Sequence, residues 1–364
     1  MSDSNRIQAS FLRESTWGTT PASAFTELLL TGGSFAHDLQ TVRSAQIRAD
    51  AQAADSKRVG ADANAAYNVE WSADAFDELL RGGIRSDADW STAVNISGTI
   101  YAANASNNQY TRSAGDFTTE NISVGQWIYV DGFTTAANNG WRKVTVIASG
   151  ALTVTGGTLV DEAQGDSVTM KSQQITNGTD TASYSLQEEF LDLTNRLFLI
   201  TGGRISGFNV DISPQSIISG TFNFQGKDIA QAAAKAGNGS VTAAQENDVM
   251  SEVDAFDEVW VDAAAVSWDL FSLNLAVSTA TRPQTQLGQL AKRGIALGTV
   301  TVSGGFSTYL DDNSWALAGD FLAFTKFALA FALTDGNGNR YHCEIPQVAH
   351  SGEPGDIPGL DTDK

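Results

Sequence analysis

The sequence predicts an all-β protein: a β-sandwich or barrel with a short flanking helix and an inserted small β-domain. Three observations carry this. Period-two runs recur along the chain, as where Phe271, Leu273, Leu275 and Val277 alternate with Ser272, Asn274 and Ala276. Gly is abundant and Pro scarce, 34 against six, which fits short strands joined by tight turns. The chain also closes on a strong hairpin signal. Phe327, Leu329, Phe331 and Leu333 alternate with Ala328, Ala330 and Ala332. Asp335-Gly336-Asn337-Gly338-Asn339 then tolerates positive φ, and Tyr341, Cys343 and Ile345 follow opposite Arg340, His342 and Glu344. Neither face of the first run is very polar, so that strand is expected between layers or against another subunit.

The elements follow in order. Ile7 to Leu12 reads as a first strand, and Glu14 to Pro21 as an extended arm before the apolar run Thr26–Leu30. Residues 36–58 are polar, hold Arg43, Arg48, Lys57 and Arg58, and show no hydrophobic stripe, which predicts a long functional loop. A strand ends at Val69–Trp71. A short helix is expected over 72–83, capped by Ser72, stopped at Gly82, with Phe76, Leu79 and Leu80 on one face. Residues 96–175 change character: short strands with turns every eight to twelve residues predict a separate small β-domain with Trp127 and Trp141 in its core. The division is therefore 1–95 plus 176–364 for the main domain and 96–175 for the insert. Phe208–Ile212 and Ile218–Phe224 are further strands, residues 226–236 a helical turn or two, and Val300–Thr308 a strand with a bulge at Gly304-Gly305.

Composition excludes several functions. A chain of 364 residues, 42% hydrophobic and 9% aromatic, folds into a globule with room for two domains. The net charge of −20 argues against a surface that grips nucleic acid, which needs clustered Lys and Arg. It leaves open a conduit that repels phosphate so that DNA slides. The insert carries six acids and four bases, so −18 of the −20 lies on the remainder. No apolar stretch approaches the ~20 residues of a membrane span, and the N-terminus lacks a hydrophobic signal core, so a protein made in a reducing cytoplasm is expected. The lone cysteine, Cys343, cannot form an internal disulfide and reads as an inert strand residue. Catalytic signatures are missing. His37, His342 and His350 have no metal-ligand spacing, and neither a phosphate loop nor a nucleophile elbow occurs. Asp254, Asp257, Glu258 and Asp262 cluster near Trp260, which reads as a solvated acidic loop rather than a carboxylate pair for hydrolysis. No cofactor and no metal is expected.

Four segments carry a resemblance: Glu14-Ser15-Thr16-Trp17-Gly18-Thr19-Thr20-Pro21; Val42-Arg43-Ser44 through Arg58-Val59-Gly60 with the FDELL run at 76–80; 185–190 with 202–227; and 297–310 with the closing hairpin and Pro346. In that order and spacing, the chain resembles the tail tube (major tail) proteins of long, non-contractile-tailed bacteriophages. The resemblance implies a virion structural protein without catalysis, made in the host cytoplasm. Its subunits would close into rings, commonly hexameric, whose inner sheets join into a channel. Rings would stack through loops and terminal arms, bind other tail proteins, and pass double-stranded DNA without holding it. No membrane partner is implied. Trp17, Arg43, Arg48, Lys57, Arg58, Phe327 and Phe331 are the candidate contacts between subunits or rings. The alternative is a decoration or tail-tip adhesion protein whose insert binds a glycan or receptor. A secreted acidic hydrolase would need export signals and a carboxylate pair in a cleft, and the sequence offers neither.

Overall fold

The protein's structure, a computed structural model, describes residues 6–349 except 53, 195 and 310. The chain opens with strands β1 (Ile7–Arg13), β2 (Phe25–Leu28), β3 (Gly32–Arg43) and β4 (Ser56–Glu70), then helix α1 (Asp77–Gly83). Seven strands follow: β5 (Val94–Gly98), β6 (Tyr101–Asn104), β7 (Gln109–Arg112), β8 (Trp127–Asp131), β9 (Gly140–Ala148), β10 (Ala151–Thr155) and β11 (Val168–Ser172). Next come β12 (Tyr184–Phe190), β13 (Leu197–Ile212), β14 (Ser219–Gly226), β15 (Asp228–Ala232) and β16 (Val241–Thr242). The last part holds α2 (Glu252–Ala255), β17 (Phe256–Val261), β18 (Ala264–Val266), β19 (Leu270–Gln284), β20 (Gly294–Thr308), α3 (Trp315–Ala323), β21 (Lys326–Thr334) and β22 (Arg340–Ala349). These elements form two compact units. Unit 1 is Met1–Asp87, Asn177–Glu252 and Ser272–Phe306; unit 2 is Ala88–Thr176, Val253–Phe271 and Ser307–Lys364.

Unit 1 is a β-sandwich built around one shared strand. The first half of β13 pairs with β12 on one side and β15 on the other. Its second half pairs with β14 and β19. One sheet therefore runs β16-β2-β1-β12-β13-β15 and the other β3-β4-β14-β13-β19-β20. The strand turns the corner where Gly202 takes φ of 65° and the register slips between Ile205 and Gly207. Alternation sends every second side chain inward, and the interior is aromatic. Tyr67 meets Phe224 at 5.8 Å, Phe224 meets Tyr184 at 6.3 Å, and Tyr184 meets Phe11 at 6.2 Å.

Helix α1 packs on this core through Leu79, which is fully buried, and through the preceding Phe76, 5.6 Å from Phe222. Its start carries no side-chain cap: Phe76, not Ser72, occupies the cap position. Gly82 does not stop the helix, which runs on to Gly83. Both glycines are needed for close approach, since a Cβ at Gly82 would strike the Tyr184 hydroxyl and one at Gly83 would lie 2.6 Å from the Phe208 ring.

Unit 2 contains a seven-stranded sheet ordered β5-β11-β8-β9-β10-β7-β6. Its two edge strands, β5 and β6, are consecutive in the chain and joined only by residues 99 and 100. The sheet therefore curves enough to bring its two edge strands to one link, although β5 and β6 do not pair. The interior is filled by Tyr110, Phe117, Ile128, Val144, Leu152 and Met170, all fully buried. The Tyr110 hydroxyl donates to the Asn138 carbonyl at 2.6 Å, so its burial leaves no polar orphan. The expected insert at 96–175 takes in nearly all of this sheet. The compact unit also includes a four-stranded sheet, β18-β17-β21-β22, from the C-terminal part of the chain.

The structure corrects three local expectations. The loop expected at 36–58 is confined to the tip between Arg43 and Ser56: residues 36–43 and 56–58 belong to a long hairpin, β3–β4, whose ladder runs from Gly32↔Asn68 to Arg43↔Ser56. Residues 228–232 form strand β15 instead of helical turns, because pairing with Leu197–Thr201 outweighs the helix propensity of an alanine-rich run. The acidic segment near Trp260 is helix α2 and strand β17, not a solvated loop, and Trp260 is fully buried. The side chains of Asp254 and Asp257 lie outside the described ones. Among the described residues, no helix is long and apolar enough to cross a membrane.

Candidate functional site

Among the described residues, β3 pairs only with β4 and β20 only with β19. One sheet of unit 1 thus ends in two long edges, of 12 and 15 residues. Each presents a row of backbone donors and acceptors able to pair with another chain. The other sheet ends in short strands, β16 of two residues and β15 of five.

The outer face of the long-edged sheet is polar and low in cations. Its register aligns Glu70, Ser219, Asp211 and Asn274 in one rung, and Asn68, Thr221, Asn209 and Ala276 in the next. Thr221 Oγ1 donates to Asn68 Oδ1 at 2.9 Å, and the Thr221 amide donates to Asn209 Oδ1 at 2.8 Å, which stiffens the face. On β3 the same face continues through Ser34, Ala36 and Asp38, opposite Ala66, Asn64 and Asp62. The cations on or beside it include Arg282, exposed near the end of β19, and two that are tied. Arg204 donates to the Thr181 carbonyl at 2.6 Å. Lys292, buried to 3% exposure, pairs with Asp62 at 2.7 Å and holds that carboxyl below the usual carboxylate range. Lys292 belongs to the β19–β20 connection, so both hairpins of this sheet run toward the same end.

At that end β3–β4 projects. Ala63 is the last β4 residue paired with β14; Ser56–Asp62 continue with β3 alone, a reach of roughly 20 Å at about 3.3 Å per residue. Leu39, Val42, Val59 and, at the tip, Ile47 are exposed on this arm. Four of the seven sequence-predicted contact residues lie here. Arg48 forks onto Asp50, Nε to Oδ1 at 3.0 Å and Nη2 to Oδ2 at 2.7 Å. Lys57 pairs with Asp55, Arg58 Nη2 lies 3.3 Å from His37 Nε2, and Arg43 is exposed at the neck of the tip.

The remaining three are placed differently. Trp17 is half-buried at the corner of unit 1, its indole donating to the Gly202 carbonyl at 3.2 Å and the Lys227 ammonium 5.2 Å above its ring. Phe327 and Phe331 are buried within the chain itself, 5% and 3% exposed, with little ring surface left for a neighbour. The residue sequence reasoning passed over is Glu14. Its carboxylate is buried and accepts four bonds: from the Gly18 amide at 2.7 Å, Ser183 Oγ at 2.7 Å, Ser185 Oγ at 2.8 Å and the Gly202 amide at 2.8 Å. Together Glu14 and Trp17 brace the point where β13 passes from one sheet to the other.

Among the described residues no group of three or more His, Cys, Asp or Glu is placed to hold a metal ion. Cys343 is half-buried, and burial, then the nearby Glu344, pushes its thiol up to about 12, far from nucleophilic range. The geometry is that of a subunit built to be continued by others. Comparison with curated proteins gave no match. The family model described as phage tail tube protein matches residues 4–361, nearly the whole chain, and the protein belongs to that family: it is a structural, self-assembling component of the bacteriophage tail.

Proposed function

We propose that unit 1 forms the wall of the tube. The β20 edge of one copy pairs with the β3 edge of the next, and six copies close a ring around a channel lined by the polar face described above. The observation that carries this is the coincidence of two long unpaired edges with an outer face poor in cations on one sheet. The projecting β3–β4 arm then docks on the adjacent ring. Residues 36–58 carry four bases and three acids, a locally positive segment in a chain of net charge −20, so attraction to the acidic body of another copy supports the contact. Arg43, Arg48, Lys57 and Arg58 serve there, while Trp17 acts by holding the corner. The 96–175 segment belongs to the accessory unit rather than to the wall. The subunit is made in the host cytoplasm and joins the virion tail on assembly.

Electron microscopy of the purified protein at high concentration, beside its molar mass in dilute solution, tests this reading. Hollow filaments with six subunits per axial repeat are expected. Compact particles of fixed size at every concentration would favour a decoration or adhesion protein instead. The conduit role has its own test. Replacing Asp38, Glu70 and Asp211 by Lys should give tubes that retain double-stranded DNA at low salt, whereas unsubstituted tubes release it. Equal retention by both would remove the lining from the argument.

A further inference from the structure

In unit 2, one face of the seven-stranded sheet meets the four-stranded sheet in a cluster of indoles. Trp127 on β8 and Trp141 on β9, each 7% exposed, face Trp260 on β17, which is fully buried, over Ala330 and Ala332 on β21. His342 of β22 sits among them. Its ring centroid lies 4.2 Å from that of Trp127, stacked at 29°, and 4.9 and 5.1 Å from those of Trp141 and Trp260. Its Nε2 is buried with no hydrogen-bond partner, as are the indole nitrogens of Trp141 and Trp260. An imidazole enclosed in this way is tolerable neutral and costly charged.

We propose that His342 and the three indoles around it form an acid-opened latch between the seven-stranded and four-stranded sheets of unit 2. The charged groups nearby do not offer an added proton a home. From β9 comes Lys143, whose ammonium repels an imidazolium and is paired with Glu344. From β22 itself come Arg340, whose guanidinium stands 3.7 Å over the Tyr129 ring, and Glu344, which also accepts from the Trp127 indole at 3.0 Å. β8 contributes Trp127 and Tyr129, β21 sets Ala332 opposite His342, and β17 carries Glu258 two residues before Trp260. The carboxylate closest to hand is thus already committed to Lys143 and Trp127.

Burial, with Lys143 second, holds the imidazole down to about 3, against 6.5 when free. Because the folded value is depressed, the latch is at full strength above pH 6.5 and weakens as pH falls toward 3. Its opening equilibrium should rise roughly 200-fold between pH 7 and pH 4. The proton comes from solvent and goes to the imidazole ring; no covalent bond breaks.

The test uses the full chain. Imidazole proton resonances are followed against pH by NMR, with His37→Gln and His350→Gln assigning the His342 signal. Hydrogen exchange of β8, β9, β21 and β22 is measured over the same range. The expected result is a His342 signal that stays neutral to well below pH 5, with loss of protection in those four strands on acidification, and a much flatter acid profile in His342→Phe. A His342 midpoint at or above 6.5 overturns the proposal, as does the same acid profile in His342→Phe and the unsubstituted protein. Should His342→Phe fail to fold, the NMR midpoint in the unsubstituted chain decides.

Discussion

The two units solve the problem of sheet edges in opposite ways. In unit 2 the seven-stranded sheet ends on short strands, β5 of five residues and β6 of four, which a two-residue link holds side by side without pairing them. In unit 1 the corresponding sheet stops at β3 and β20, long strands with free outer edges. Their interiors differ to match. Unit 2 buries three indoles and an imidazole in a seam between its own two sheets. Unit 1 buries a chain of phenyl and phenol rings and holds its corner with Glu14 and Trp17. The contrast teaches that a sheet can be fully packed on its inner face and still be half of an interface. What decides is the edge and the outer face, not the core.

The largest effect should come from breaking the open half. Val42 and Lys57 are register partners, so replacing residues 43–56 by Asn-Gly closes the hairpin in register with a two-residue turn. The arm is exposed, so unfolding of the chain should change by less than about 1 kcal/mol. Filaments should disappear from electron micrographs at concentrations where the unsubstituted protein assembles. Tubes of normal length from the shortened protein would show that the arm is not a ring contact.

Next in size is damage to the short-edged half. Trp260→Ala removes the indole at the centre of the seam, and a cavity of that kind costs about 3–5 kcal/mol. Exchange protection should fall in the strands of unit 2 while the β4, β13 and β14 amides of unit 1 keep theirs. Equal loss in both would mean that the units unfold as one.

How much of this was legible in the sequence depends on which faces are buried. Strands whose large apolar residues alternate announced themselves: Phe222 and Phe224 and Leu273 and Leu275 bury one face, Phe327 to Leu333 buries both with alanines on the second, and all are strands. The β3–β4 arm did not, because both of its faces meet solvent and a bulge between Gln40 and Thr41 breaks the alternation of Leu39 with Val42. β15 was hidden by an alanine-rich composition whose local preference loses to pairing. The seam in unit 2 was hidden for another reason. Arg340, His342 and Glu344 look like a solvent face, and only the tertiary fold brings Trp127, Trp141 and Trp260 onto it from elsewhere in the chain. Family likeness pointed to residues 14–21 but not to why Glu14 is there, since its four donors come from three separate stretches of sequence.

The Glu14 brace gives a prediction of intermediate size confined to unit 1. Glu14→Gln keeps the shape but replaces one acceptor oxygen with a donor that faces amide and hydroxyl donors. The loss should be about 2–3 kcal/mol in exchange-derived stability of β1, β12 and β13. Full retention of protection there would show that the four bonds are incidental to the corner.

The smallest effect sharpens the comparison through pH. Glu188 on β12 in unit 1 lies between Ala9 and Phe198, and burial pushes its carboxyl up to about 7 from an ordinary 4.5. A raised folded value means that stability is whole below pH 4.5 and is lost as pH climbs through 7. The sign is opposite to that of His342, whose contribution is whole above 6.5 and lost on acidification. Unit 1 should therefore loosen on the alkaline side and unit 2 on the acid side, so that their exchange profiles cross. Glu188→Gln removes the ionisation. At pH 8 it should stabilise β12 by ~1 kcal/mol, a modest figure because the side chain is not wholly buried, and below pH 4.5 it should leave β12 unchanged. If the alkaline slope of unit 1 survives the substitution, the charge responsible lies elsewhere, and the opposition between the two units rests on His342 alone.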